Sequence, residues 1–283
     1  MRAMRALVPL GGVIALALAV LLTSDQGRAV LTIPLEPLSL GFASDAAPLA
    51  TYEGTVRRIA RVLSEDLDLP VPDRITLHLY ETPRLLERGL VHELGVAPDL
   101  AARLSGFAAG LALDRHVLLL EPEARRGARE WLRLVAHEMA HLSQAELATR
   151  EGRTAQWLAE GMADWVAYAV LDRLGVQARG RERALVLEEA RREIEDPGFA
   201  LDLAALGEPR GFLDASRRDG VATYRLAFLL TDALIDRHGF PRVVDYFRAA
   251  GGGADRDELF SRAFGQSVEE FARQMLATAG RRG

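Results

Sequence analysis

His137-Glu138-Met139-Ala140-His141 decides how this chain is read, together with the segment around it, Trp131-Leu132-Arg133-Leu134-Val135-Ala136-His137-Glu138-Met139-Ala140-His141-Leu142. The pattern of apolar residues predicts a helix, and at 3.6 residues per turn His137 and His141 stand one turn apart on one face. Two imidazoles so placed can hold a single zinc ion. Glu138, next round the helix, can face a zinc-bound water as general base. The chain has only six histidines, so a pentapeptide alone is a thin signal, and its surroundings carry the weight.

A catalytic zinc normally takes three protein ligands and keeps one position for water. The next helical stretch supplies the third. It runs from Trp157 to Leu171 and carries Glu160 and Asp164, four apart and therefore on one face. Leu158, Met162, Trp165 and Ala169 make most of the rest apolar. A carboxylate in such a helix needs a partner, because burying it unpaired is expensive. Glu160 as ligand and Asp164 as partner to the free ring nitrogen of a zinc histidine satisfy that need, and such a partner fixes the imidazole tautomer. Gly161 offers a place for close packing, read here as packing against the first helix.

On these residues the chain resembles the gluzincin metallopeptidases of the small peptidase MA-like type. Their pattern is H-E-x-x-H followed by W-L-x-E-G-x-A-[DE]; here it reads His137–His141 and then Trp157-Leu158-Ala159-Glu160-Gly161-Met162-Ala163-Asp164. Residues 142–159 span the gap, the length seen in the M1 aminopeptidase branch. No histidine occurs between 142 and 152, which sets aside the metzincin continuation, and no G-x-M-E-N-like exopeptidase motif precedes the zinc helix. The resemblance implies His137, His141 and Glu160 as ligands of Zn2+, Glu138 as base, and Asp164 as the residue orienting His137. It also implies an α+β, zincin-like catalytic domain, with a small mixed or antiparallel sheet packed on the HExxH helix and a mostly helical C-terminal lobe.

The remaining sequence fits around that centre. Arg2 and Arg5 precede an apolar run over residues 7–22, which reads as a signal peptide or membrane anchor within residues 1–29 and hence an extracytoplasmic protein, secreted or membrane-attached. The chain has no cysteine, so neither a lipid-modified cysteine nor disulfides are involved. Residues 30–50 read as a flexible tether and 51–283 as the catalytic domain. Ile59, Leu63 and Leu67 mark a helix, Ile75–Tyr80 alternates as a strand, and 85–94 is a short helix. The stretches 106–113 and 116–121 suggest a strand pair, whose edge could take an extended peptide by strand addition. Residues 181–194 read as a solvated charged helix and 196–219 as mostly loop. Ser267 with Glu270 forms a capping box.

The 40 acidic against 35 basic residues give a formal charge of −5, with no basic stripe, which excludes a nucleic-acid partner. Tyr224, near the start of a helix, is the candidate donor to the oxyanion of a tetrahedral intermediate; Tyr168, on the ligand face, is its rival. His78, His92, His116 and His238 read as structural or solvated. The expected activity is zinc-dependent hydrolysis of a peptide or protein substrate, endopeptidase in character. The alternative is a zincin-fold module at the cell envelope that binds zinc and a partner without turnover, a state that loss of Glu138 would announce.

Overall fold

A computed structural model describes residues 28–34, 52–106, 108–120, 128–148, 154–194, 201–251 and 255–279. Four strands, β1 (Arg28–Pro34), β2 (Arg74–Tyr80), β3 (Gly110–Leu113) and β4 (His116–Leu120), form one sheet in the order β1-β2-β4-β3. β1 runs antiparallel to β2, β2 parallel to β4, and β3 antiparallel to β4, so the sheet is mixed and β3 is an edge. Both faces are covered, which is why Val117–Leu120 of β4 is a continuous apolar run, whereas β2 alternates Ile75, Leu77 and Leu79 with Thr76 and His78. Ile75, Leu77, Leu79, Val117 and Leu119 turn toward the main core. Tyr80, Leu118 and Leu120 turn the other way, onto Leu86, Leu90 and Ala101 of α2 (Pro83–Leu94) and α3 (Pro98–Ser105).

α1 (Tyr52–Arg61), prolonged by a π-helical turn to Asp66, lays Ile59 and Leu63 into that core. The zinc-motif helix, α4 (Ala128–Ala148), packs against β3 on one side and α5 (Gln156–Arg173) on the other. α5 is buried on every face from Trp157 to Leu171. A helix apolar all round belongs in the middle of a fold, and α5 sits there. The helices that enclose it include α6 (Arg179–Ile194), the short α7 (Leu203–Gly207), α8 (Pro209–Arg218) and α9 (Gly220–His238). Gly239, at φ 83°, ends α9, and Pro241 opens α10 (Phe240–Ala250). α11 (Arg256–Phe264) and α12 (Val268–Ala279) complete an α+β fold whose C-terminal lobe is helical. Ser267 and Glu270 exchange the two hydrogen bonds of the capping box, at 2.9 and 3.1 Å.

Three expectations change. Residues 30–34, expected to open a tether, are part of β1, because Val30, Leu31, Thr32 and Ile33 pair with β2 in unbroken register. The stretch read as loop contains α7 and α8, each begun by a recognisable device: the Asp202 carboxylate caps α7 and Pro209 starts α8. The 106–113 strand is shorter than expected, since Gly106 still closes α3 and the strand begins at Gly110. Residues 1–27 and 35–51, which include the apolar run at 7–22, lie outside the described residues. Among the described residues no helix is long and apolar enough to cross a membrane.

Candidate active site

α4 presents His137 and His141 one turn apart, and α5 brings Glu160 to meet them. Glu160 Oε2 lies 3.3 Å from Nε2 of each histidine, and the two Nε2 atoms are 3.2 Å apart. One donor atom from each of the three residues lies within 4.8 Å of the others.

Each donor is aimed by a neighbour. His137 Nδ1–H donates to Asp164 Oδ1 at 3.0 Å, which turns its Nε2 toward Glu160. Arg133 Nη1 donates to the same oxygen at 3.0 Å. His141 Nδ1 faces Gln144 Oε1 at 2.9 Å, while Gln144 Nε2 donates to the Ala159 carbonyl at 2.8 Å. That second bond settles the amide's orientation, so the atom facing His141 is an acceptor and the proton sits on Nδ1. Gln156 Nε2 donates to Glu160 Oε1 at 2.8 Å, leaving Oε2 for the centre.

His137, Glu138, Glu160 and Asp164 are all buried. Unpaired, a carboxylate in such a place costs several kcal/mol. Burial disfavours the charged form of His137, but the Asp164 carboxylate beside it and the bonds to Asp164 and Glu160 prevail and push its pKa up to about 10. Burial also opposes ionisation of Glu160, yet His141 and His137 hold it below the usual carboxylate range. Desolvation raises Glu138, only partly offset by the two histidines. Around the two imidazoles stand the carboxylates of Glu138, Glu160 and Asp164. The field that strengthens proton binding at an imidazole equally favours a divalent ion. Two imidazole nitrogens and one carboxylate oxygen, each with its outer atom already bonded, are the donor set of a catalytic zinc site, and the residues fit Zn2+.

Glu138 leaves the ligand cluster toward β3. There the chain has Gly110, and a β-carbon at that position would lie 2.6 Å from Glu138 Oε1. The glycine gives the acid its room. Gly161 also serves a close approach, though not against α4 as the sequence suggested. A β-carbon there would lie 2.2 Å from both Ala227 O and Thr231 Oγ1, so α5 is pressed against α9.

A cleft of about 1000 Å³ opens onto His137 and Glu138. Tyr224, in the first turns of α9, has its ring 6.1 Å from that of His137 and leans on Phe212 at 5.3 Å. Burial and the negative charge of Glu160, Glu138 and Asp164 raise its pKa well above 10, so its hydroxyl keeps its proton. Tyr168 also lines the cleft, its ring set edge-on against Phe228 at 5.2 Å.

The other histidines lie apart from this centre. His78 Nε2 and His116 Nδ1 are 2.8 Å apart on β2 and β4, with Glu93 of α2 at 3.0 Å from His78 Nδ1, and His238 packs on Phe264. The sequence reading missed Arg133, Gln144, Gln156 and Gly110. The first three each sit three or four positions from a ligand or its partner, on the same helical face, and that spacing was the available signal.

Residues 108–200 match the family model described as the Peptidase family M1 domain, a stretch that contains both halves of the site. No curated protein and no solved structure gives a significant match. The match and the converging ligands agree: this is a gluzincin-type zinc site, and its chemistry is zinc-dependent hydrolysis of peptide bonds.

Proposed function

We propose that this gluzincin-type peptidase acts as an endopeptidase on extended segments of protein, outside the cytoplasm, where the apolar run over residues 7–22 would direct it. The observation that carries the reading is Glu138, buried beside the two histidines and facing the cleft. His137, His141 and Glu160 would hold the zinc, whose positive charge would acidify water and polarise a carbonyl.

The chain's own groups do the rest. Glu138, its proton affinity raised by burial, takes the proton of the attacking water and returns it to the departing amine nitrogen. Asp164, steadied by Arg133, holds the His137 ring in one tautomer throughout. The Tyr224 hydroxyl, kept protonated, donates to the oxyanion as the carbonyl carbon becomes tetrahedral.

Endopeptidase action is supported by what the cleft's carboxylates among the described residues already do. An aminopeptidase must hold a substrate ammonium with a carboxylate set aside for it. Here Glu130 pairs with Arg129 and Arg133, Glu189 with Arg225 at 2.7 Å, and Asp219 caps α9. Glu138 and Asp164 serve the centre itself.

The test is digestion of an unstructured protein by the zinc-loaded chain and by Glu138→Gln, with zinc measured in both. Internal cleavage by the first, absent in a variant that still holds one zinc, is the expected result. Stepwise release of N-terminal residues would refute endopeptidase action, and equal cleavage by both proteins would refute Glu138 as the base.

A further inference from the structure

α6 carries an apolar residue that the fold does not use. The helix is dominated by arginine and glutamate, and it buries Leu187 and Ala190 toward the core. Leu185, two residues before Leu187, therefore points away from that face, and it is 49% exposed. Val221 presents the same oddity at the start of α9, where a β-branched residue gains little as a helix former, and it is 59% exposed. Both side chains line the cleft that opens onto His137 and Glu138, together with the partly buried Leu134 and Val186.

Two ties hold this wall in place. Arg183 donates to Asp232 at 2.8 Å, and Glu189 pairs with Arg225 at 2.7 Å, fastening α6 to α9 on both sides of Leu185. Apolar surface left in water is unfavourable, and that cost is relieved when an apolar partner covers it.

We infer that Leu134, Leu185, Val186 and Val221 form a specificity subsite that takes a bulky apolar side chain of the substrate, near the bond cut at His137 and Glu138. The occupant follows from continuity: the patch lies within the same cleft as the base, and a peptide bound there lays a side chain on it. The substrate class is thus a chain segment with an exposed leucine- or phenylalanine-like residue, the kind displayed by unfolded protein. This inference rests on the reading of the centre as a peptidase.

The test uses the zinc-loaded full chain and internally quenched peptides alike except at one guest position, moved residue by residue and filled with Leu, Phe, Gln or Asp. At one position, kcat/KM for Leu or Phe should exceed that for Gln by about tenfold or more. Leu185→Asp and Val221→Asp should each bring the ratio to within about twofold, while Leu185→Met and Val221→Ile keep it. A ratio near one in the unaltered protein, or one that survives both Asp substitutions, overturns the subsite. If no peptide is cut, the peptidase reading falls, and binding then decides the subsite separately. Fluorescence anisotropy on the Glu138→Gln protein should show a preference for the Leu guest that Leu185→Asp abolishes; equal binding of the Leu and Gln guests overturns it.

Discussion

Gly110→Ala puts one methyl group where the Glu138 carboxylate now lies. The added carbon would sit 2.6 Å from Oε1 and 3.0 Å from the carboxyl carbon, inside ordinary contact distance, so the acid or the strand must retreat by roughly 0.8 Å. The strand is hydrogen-bonded to β4, whereas the acid can turn about its own side-chain bonds, so the acid moves. A displacement near 1 Å at a reacting group costs about 100-fold in rate, and the overpacking itself about 1–3 kcal/mol of stability. Zinc should stay bound, because neither α4 nor α5 need shift. The assay is kcat on a quenched peptide with zinc content measured on the same sample, for Gly110→Ala, Glu138→Asp and the double variant. Aspartate, one methylene shorter, makes room for the methyl, so the two losses should fall well short of adding. Full additivity, or unchanged kcat in Gly110→Ala, refutes the packing of the acid against β3.

Other consequences can be checked directly. Gln144→Leu leaves the Ala159 carbonyl and His141 Nδ1 without their partner, and zinc affinity should fall about 10- to 100-fold in a chelator competition, with the fold intact by circular dichroism. Because His137 is pushed up to about 10 without the metal, it must shed its proton to ligate zinc. His141 is also pushed up, by Glu160 against its burial. Calorimetry near pH 8 in buffers of different ionisation enthalpy should therefore show proton release on zinc binding, with affinity weakening as pH falls, and no release would refute the charged imidazole. Tyr224→Phe should lower kcat by about 100- to 1000-fold with KM and zinc content little changed. Tyr168→Phe should do much less, and the reverse order would move the oxyanion role to Tyr168.

The centre was legible because helical spacing writes it into the sequence twice, as His137 with His141 and as Glu160 with Asp164. Its supports were harder to see. Gln144 and Gln156 are ordinary polar residues on helix surfaces until a neighbouring helix supplies the Ala159 carbonyl or brings the histidines near. Gly110 has no side chain to read, and its meaning lies in the acid that fills its space. β1 was hidden by its surroundings: Val30 to Ile33 is a good strand, but it stands next to proline- and serine-bearing stretches that outweighed it. α8 buries only Phe212 and Ser216, too thin a stripe for periodicity to register.

The enclosure of α5 divides the centre by how its parts can open. Glu160 and Asp164 ride on a helix pressed from all sides, so their backbone amides should exchange with solvent only when the whole domain unfolds. Tyr224, in the first turns of α9, and Gly110, on the edge strand β3, lie outside that enclosed helix. The metal-holding half therefore keeps its geometry between turnovers. Adjustment to a substrate is left to side chains outside α5, Tyr224 and Glu138 among them.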